Sequence, residues 1–284
     1  MSIHKDRMKK AIEFDNPDII PMDLTDVPLL YDAYDTIDPK KVIVPRGAEG
    51  FDSAWCTYHW TLEYIGKNER GEVLRRDEWG CTQVVPTSET SAYSVINRPQ
   101  LHTIEDIEAY SWPNPENTGG FFTRRKEIIE KNYPDRFING FLDPGPFLVA
   151  FEILGYENLL FKLYDDPPMV KALLEKIFTY QKALIPRFRE MGADMITIID
   201  EVAGGGGMMF SPEIFRADYI PQYKDLFKEI HRNNMYVSVL FDGDISAILE
   251  DLLDLDIDLH FFAQPKSTGI RELSQAFRGK RAVK

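Results

Sequence analysis

The sequence predicts an α/β protein built on a parallel sheet. Three observations predict it. From Phe137 onward, short apolar runs alternate with longer stretches of helical periodicity. The stretches between runs are long enough to hold the crossover helix that parallel pairing requires. With 284 residues and 44% apolar content, the chain can also bury a full core.

The elements follow in order. Lys5 to Phe14 is a charged amphipathic helix, and Ile19 to Leu24 is an expected first strand. Asp35 to Arg46, with polar and proline punctuation, suits a loop or short helix, and Phe51 to Tyr58 is the second expected strand. Gly71 to Val95 alternates and is rich in Thr and Val, which predicts one or two hairpins in an excursion from the main repeat, about residues 71–120 of a single domain spanning 1–284. A helix near Phe122 to Lys131 leads into the strand Phe137 to Leu142. Pro167 to Met191 is a helix with Asp166 as N-cap, Pro167 at its first position and Gly192 as its stop. Its Val170, Leu173, Leu174, Ile177 and Phe178 keep helical spacing, and Pro186 is expected to kink it. Met195 to Ile199 is a strand. A helix opens at Ser211 and Pro212 and runs towards Asn233; then come strand Tyr236 to Phe241, helix Ile245 to Leu253 and strand Leu259 to Ala263. Periodicity alone leaves a barrel and an open doubly wound sheet equally allowed, and no Gly-x-Gly-x-x-Gly follows a strand to favour a dinucleotide fold.

Composition excludes several functions. Lys plus Arg number 33 against 46 Asp plus Glu, a net charge of −13, so nucleic acid and anionic membrane surfaces are disfavoured partners. No apolar run approaches the roughly 20 residues of a membrane helix. Two cysteines and a charged start without a signal-like apolar core lead to the expectation of a cytoplasmic protein.

Several stretches, in order, resemble the uroporphyrinogen decarboxylase-like superfamily. They are Arg7-Met8 with Asn16-Pro17-Asp18-Ile19-Ile20-Pro21; Asp77-Glu78-Trp79-Gly80 with Arg98-Pro99; Ile104-Glu105-Asp106 through Trp112-Pro113; Gly145-Pro146-Phe147 with Leu154-Gly155; Asp165-Asp166-Pro167; Gly192-Ala193-Asp194; Ser211-Pro212-Glu213; and Asp242-Gly243-Asp244. The resemblance implies a (β/α)8 TIM-type barrel with its active site at the C-terminal ends of the strands. Closure takes eight strands, whereas Ile19 to Ala263 offers about six and Arg281 to Lys284 begins another. The expectation is therefore a barrel missing its last strands, its open edge covered by a missing segment or, alternatively, by a homodimer.

Two departures bear on chemistry. Haem-pathway decarboxylases of the superfamily hold their polycarboxylate with an arginine-rich stretch after the first strand; here the stretch is Asp23-Leu24-Thr25-Asp26-Val27, which would repel it. Its methyltransferases with thiol acceptors bind zinc through His-x-Cys where this chain has Leu240-Phe241-Asp242. That zinc site is expected to be absent, although zinc held by carboxylates stays open.

Candidate catalytic residues are Asp200 and Glu201, which end one strand and so point to opposite sides, and Asp242 at the end of another; the alternative for Asp242 is to cap the helix near Ile245. Candidate substrate contacts are Tyr58 and His59 in an aromatic cluster with Trp55 and Trp60, Asp143 and Gln264 at other strand ends, and Met208 beside Gly204 to Gly207, a glycine run lacking the ending of a phosphate loop. Cys56 and His59 have an odd separation that sends them to opposite faces of a strand. The resemblance implies a methyltransferase that moves a methyl group from a small donor, of methoxyaromatic or methylamine type, to a corrinoid (cobalamin) carried by a partner protein. The alternatives are a decarboxylase or lyase on the same fold and a non-catalytic barrel that binds the corrinoid protein.

Overall fold

The computed structural model describes residues 2–23, 51–58, 63–85 and 94–284. Helix α1 (Ile3–Ile12) starts at Ser2, whose hydroxyl accepts from Lys5 N, and turns Met8 and Ile12 inward. Ile19 to Asp23, expected as a strand, runs irregularly instead. Pro21 withholds a ladder donor and Ile20 is 87% exposed, so no burial offsets the entropy of extending the segment. Leu24 and the 35–46 segment lie outside the described residues.

Strand β1 (Ser53–Tyr58) takes its expected place. The excursion is a four-stranded antiparallel sheet of β2 (Glu63–Lys67), β3 (Val73–Arg76), β4 (Thr82–Val85) and β5 (Ser94–Asn97), beginning earlier than the expected hairpins. Helix α2 (Ile104–Ala109) follows with a capping box between Thr103 and Asp106, then α3 (Phe121–Asn132).

The repeat then sets in. Strand β6 (Phe137–Leu142) leads to α4 (Pro146–Leu154), α5 (Tyr156–Asp165) and α6 (Pro167–Met191). The last carries Asp166 as N-cap and stops at Gly192, whose φ of 108° suits a residue without Cβ. Pro186 sits within this helix without ending it. Strand β7 (Met195–Asp200) continues into a small hairpin of β8 (Ala203–Gly204) and β9 (Gly207–Met208). The Ser211-capped helix comprises α7 (Pro212–Ile214), a π-turn over Phe215–Tyr219, and α8 (Ile220–Arg232). Strand β10 (Tyr236–Phe241), a 3-10 turn over Ser246–Ile248, α9 (Leu249–Asp254), β11 (Leu259–Phe261), α10 (Pro265–Thr268), α11 (Ile270–Phe277) and β12 (Ala282–Val283) complete the order.

Six strands form one parallel sheet in the order β1-β6-β7-β10-β11-β12, flanked by helices, and among the described residues it does not close into a ring. Alternation gives each strand two faces. The outer face, with Ile138, Ile196, Ile198, Val237 and Val239, packs beneath the helices; each such side chain contributes about 1.5–3 kcal/mol by leaving water. Gly140 lets Phe188 of α6 approach, since a Cβ there would lie 2.6 Å from its ring. On the inner face at the N-terminal ends, Phe137, Met195 and Leu259 pack with Met8 and Ile12 of α1, which plugs that end.

Candidate active site at the C-terminal rim

The two carboxylates that end β7 part company. Asp200 points outward and is fully buried, with its oxygens accepting from Phe147 N and Leu148 N (both 2.9 Å) and from the Tyr223 hydroxyl (2.5 Å). It therefore satisfies the open N–H groups at the start of α4. Gly145 makes this possible: its N–H meets Ile199 O at 2.6 Å, and a Cβ there would strike Asp200. The Gly-Pro-Phe stretch is the seat of a buried carboxylate whose burial pushes its pKa up to about 6, opposed by those three donors.

Glu201, one residue on, takes the inner side and is open to solvent. Partial burial of the carboxylate and then Asp242 raise its pKa. Asp242 follows β10 on the same face as Ser238 and Leu240, and burial raises it too. Its Oδ1 is buried without a hydrogen-bond partner among the described residues, as is the Ser238 hydroxyl two steps below. Capping at this helix belongs to neighbours: Asp244 accepts from Ser246 N at 3.0 Å and Thr268 Oγ1 from Ile245 N at 3.1 Å. Asp143, just beyond β6, is raised to about 6 by burial and then by Glu201 and Asp200. Asp143, Glu201 and Asp242 thus form an acidic rim in which each carboxyl holds its proton closer to neutrality than usual.

The other candidates are spread around this rim. Met208 is half-buried against the core. Gln264 is exposed ahead of α10, its carbonyl accepting from Ser267 N. Tyr58 ends β1, but its side chain, His59 and Trp60 lie outside the described residues. Cys56 faces outward, buried beside Met191, with the two sulfur atoms 3.5 Å apart. Among the described residues, no group of three or more His, Cys, Asp or Glu stands together as a metal site. None of the described helices is long and apolar enough to cross a membrane.

Sequence reasoning named Trp55 in an aromatic cluster but did not place it on an inner wall below the rim. There Trp55 packs on Phe141 with ring centres 4.2 Å apart, and Asp23 accepts from Trp55 Nε1 (2.7 Å) and Ser53 Oγ. The alternation of Ser53 and Trp55 along β1 was the available signal.

The glycine hairpin lies at the same end of the sheet. Gly204 O accepts from Asp244 N at 2.8 Å, and Gly243, with φ of 81°, fits against Ala203 and Gly204 where a Cβ would come within 2.6 Å of both carbonyls. The stem is pinned, while Cβ atoms added at Gly205 and Gly206 would meet nothing within 4 Å.

Comparison with known proteins gives three findings. The family model described as uroporphyrinogen decarboxylase matches residues 77–269, more than half of the chain. A uroporphyrinogen decarboxylase from Chlorobaculum parvum is 26% identical over 167 residues, covering 56% of this chain; the chain spans about half, 46%, of that relative. Among solved structures, a methyltransferase from Methanosarcina mazei superposes with a TM-score of 0.60 at 20% identity, covering 72% of this chain and 59% of that one. At that identity the likeness concerns the fold.

Proposed function

The chain belongs to the uroporphyrinogen decarboxylase family, and from that premise we propose that it is a methyltransferase moving a methyl group from a small methylated donor to a corrinoid carried by a partner protein. The observation that carries this reading is the acidic rim of Asp143, Glu201 and Asp242. Methyl transfer from oxygen or nitrogen requires the leaving atom to be neutralised as the methyl carbon departs, and carboxyls whose burial raises them above their ordinary range, Asp143 to about 6, are suited to hand over protons at the mouth of the site. The orphaned oxygens of Asp242 and Ser238 offer places for a donor molecule to bind. The corrinoid supplies the nucleophile. The hairpin tip, free of side chains, leaves room at the mouth for a broad, flat group. The fold shared with a methyltransferase supports the same reading.

Porphyrinogen decarboxylation fits this rim less well. A substrate bearing several carboxylates would meet Asp143, Glu201 and Asp242, which repel it whenever they ionise, and would compete with Asp23 for the Lys284 ammonium. Decarboxylation of another carbon acid is the second reading, favoured by the family match itself. Incubating the chain with reduced corrinoid protein and a panel of methoxyaromatics and methylamines separates the readings. Spectral conversion of the corrinoid with loss of the donor's methyl group is expected; carbon dioxide release without it supports the second reading, and binding without turnover a scaffolding role.

A further inference from the structure

Lys284 follows β12 and remains in the ladder, its N–H donating to His260 O at 2.8 Å and its carbonyl accepting from Phe262 N at 3.1 Å. Because His260 pairs with Val283, Lys284 lies opposite Phe261, which neighbours Leu240. Its side chain therefore enters the inner face one same-side step, about 6–7 Å along the strand, below the level of Asp242. There the ammonium stands over two aromatic faces, 4.3 Å from the Trp55 ring centre and 4.4 Å from that of Phe261, and donates to Asp23 Oδ2 at 2.5 Å.

This is an unusual place for lysine. An ammonium carries three donors, and aromatic faces attract it without accepting its hydrogens as an oxygen would. Asp23 takes one hydrogen and is itself held by Trp55 and Ser53. The side chain keeps about one-fifth of its surface exposed, so it is not sealed into a core. A lysine kept only for packing would be better replaced by an apolar residue, because desolvating an ammonium opposes folding.

We propose that Lys284, positioned by Asp23, is the proton donor of the inner site. This rests on the methyl-transfer reading for the identity of the acceptor atom. As the bond between the methyl carbon and oxygen or nitrogen breaks, its electron pair stays on the leaving atom, which takes a proton from Nζ. The methyl carbon accepts its new electron pair from the reduced corrinoid. Lys284, left as a neutral amine, regains a proton from water through the acidic rim, whose carboxyls exchange protons with solvent. Burial, which depresses the lysine below its ordinary range against the opposing pull of Asp23, suits it to release a proton.

The test has two arms on the full chain. In the first, competitive acetylation with acetic anhydride across pH, read by peptide mass, gives the titration midpoint of each lysine. Lys284 is expected to titrate at a lower pH than exposed Lys131, and at a lower pH still in Asp23→Asn. A midpoint equal to or above that of Lys131 overturns the proposal whatever the reaction is. In the second, Lys284→Arg keeps the charge and the aromatic contacts but cannot release a proton near neutrality, while Lys284→Met keeps only the stem. Both are expected to lose methyl transfer by about 100-fold or more. Parental turnover by Lys284→Arg shows that charge alone suffices and overturns the proposal. A parental chain without methyl transfer but with a depressed Lys284 midpoint overturns the choice of reaction and leaves the proton-donating lysine standing.

Discussion

The two ends of the parallel sheet treat acidic residues in opposite ways. At the N-terminal end, Asp52 accepts from His4 Nδ1 (2.7 Å), Arg7 (2.6 Å) and Met22 N (2.8 Å); Asp194 takes Lys5 (2.7 Å) and Ile138 N (2.9 Å); and Asp258 takes Val237 N (2.7 Å) and lies 2.8 Å from His231 Nε2. These partners tie α1 and the strand starts together, and Asp52 lies below its usual range because they outweigh its burial. At the C-terminal rim, Asp143, Glu201 and Asp242 are all shifted upward. Cationic partners, as at Asp52, hold a carboxylate ionised and tie the fold together; burial without them favours the proton, at the rim and also at Asp200 with its three neutral donors. The contrast agrees with the general division of barrels into a stabilising end and a reacting end.

Breaking the stabilising end should have the largest thermodynamic effect. Asp52→Ala leaves Arg7, His4 and Met22 N without their shared acceptor, and a loss of about 3 kcal/mol in unfolding free energy by urea titration is expected. Turnover per folded molecule should not change. If stability fell by less than about 1 kcal/mol, the network at that end would be ornamental.

Acidity sharpens the comparison next. Asp143 has a folded pKa of about 6 against an ordinary value of 3.8, so the folded state binds more protons than the unfolded state between those values. Its favourable contribution is fully present below about pH 4 and is lost as pH rises through 6. Asp143→Asn should therefore flatten the decline in stability over that window and raise stability at pH 7 by about 1–3 kcal/mol. Asp52 behaves with the opposite sign: its folded pKa is depressed, so its contribution is present above pH 4 and lost as pH falls below that. Urea titrations at stepped pH check both slopes, and an unchanged slope in Asp143→Asn would mean that the rim carboxyl is not destabilised.

The smallest effect belongs to Gln264. Its side chain is exposed and makes no cap on α10, so Gln264→Ala should shift stability by no more than about 0.5 kcal/mol. A larger shift would assign it a structural contact.

Most of the sheet was legible in the chain because strands β6, β7 and β10 are mostly apolar, interrupted only by residues such as Asn139, Thr197 and Ser238, and α6 announces both its ends with Asp166 and Gly192. Ile19 to Asp23 misled because a β-branched pair beside a proline has strand composition whether or not a neighbour pairs with it. Within the site, alternation separates Asp200 from Glu201, but only tertiary structure reveals which of them faces the helices: the decision is made by Gly145 and Tyr223, distant in sequence. Lys284 was hidden for a related reason. A lysine after two small apolar residues looks like a solvated end until its strand is placed beside Phe261 and across from Trp55.

The most direct test of a reacting rim opposite a stabilising floor is methyl transfer by Asp242→Asn, measured with reduced corrinoid protein and a turned-over donor, alongside its urea midpoint. Turnover is expected to fall by about 100-fold or more while unfolding free energy changes by less than about 1 kcal/mol. Parental turnover, or a loss that merely follows a loss of folded protein, would contradict the account.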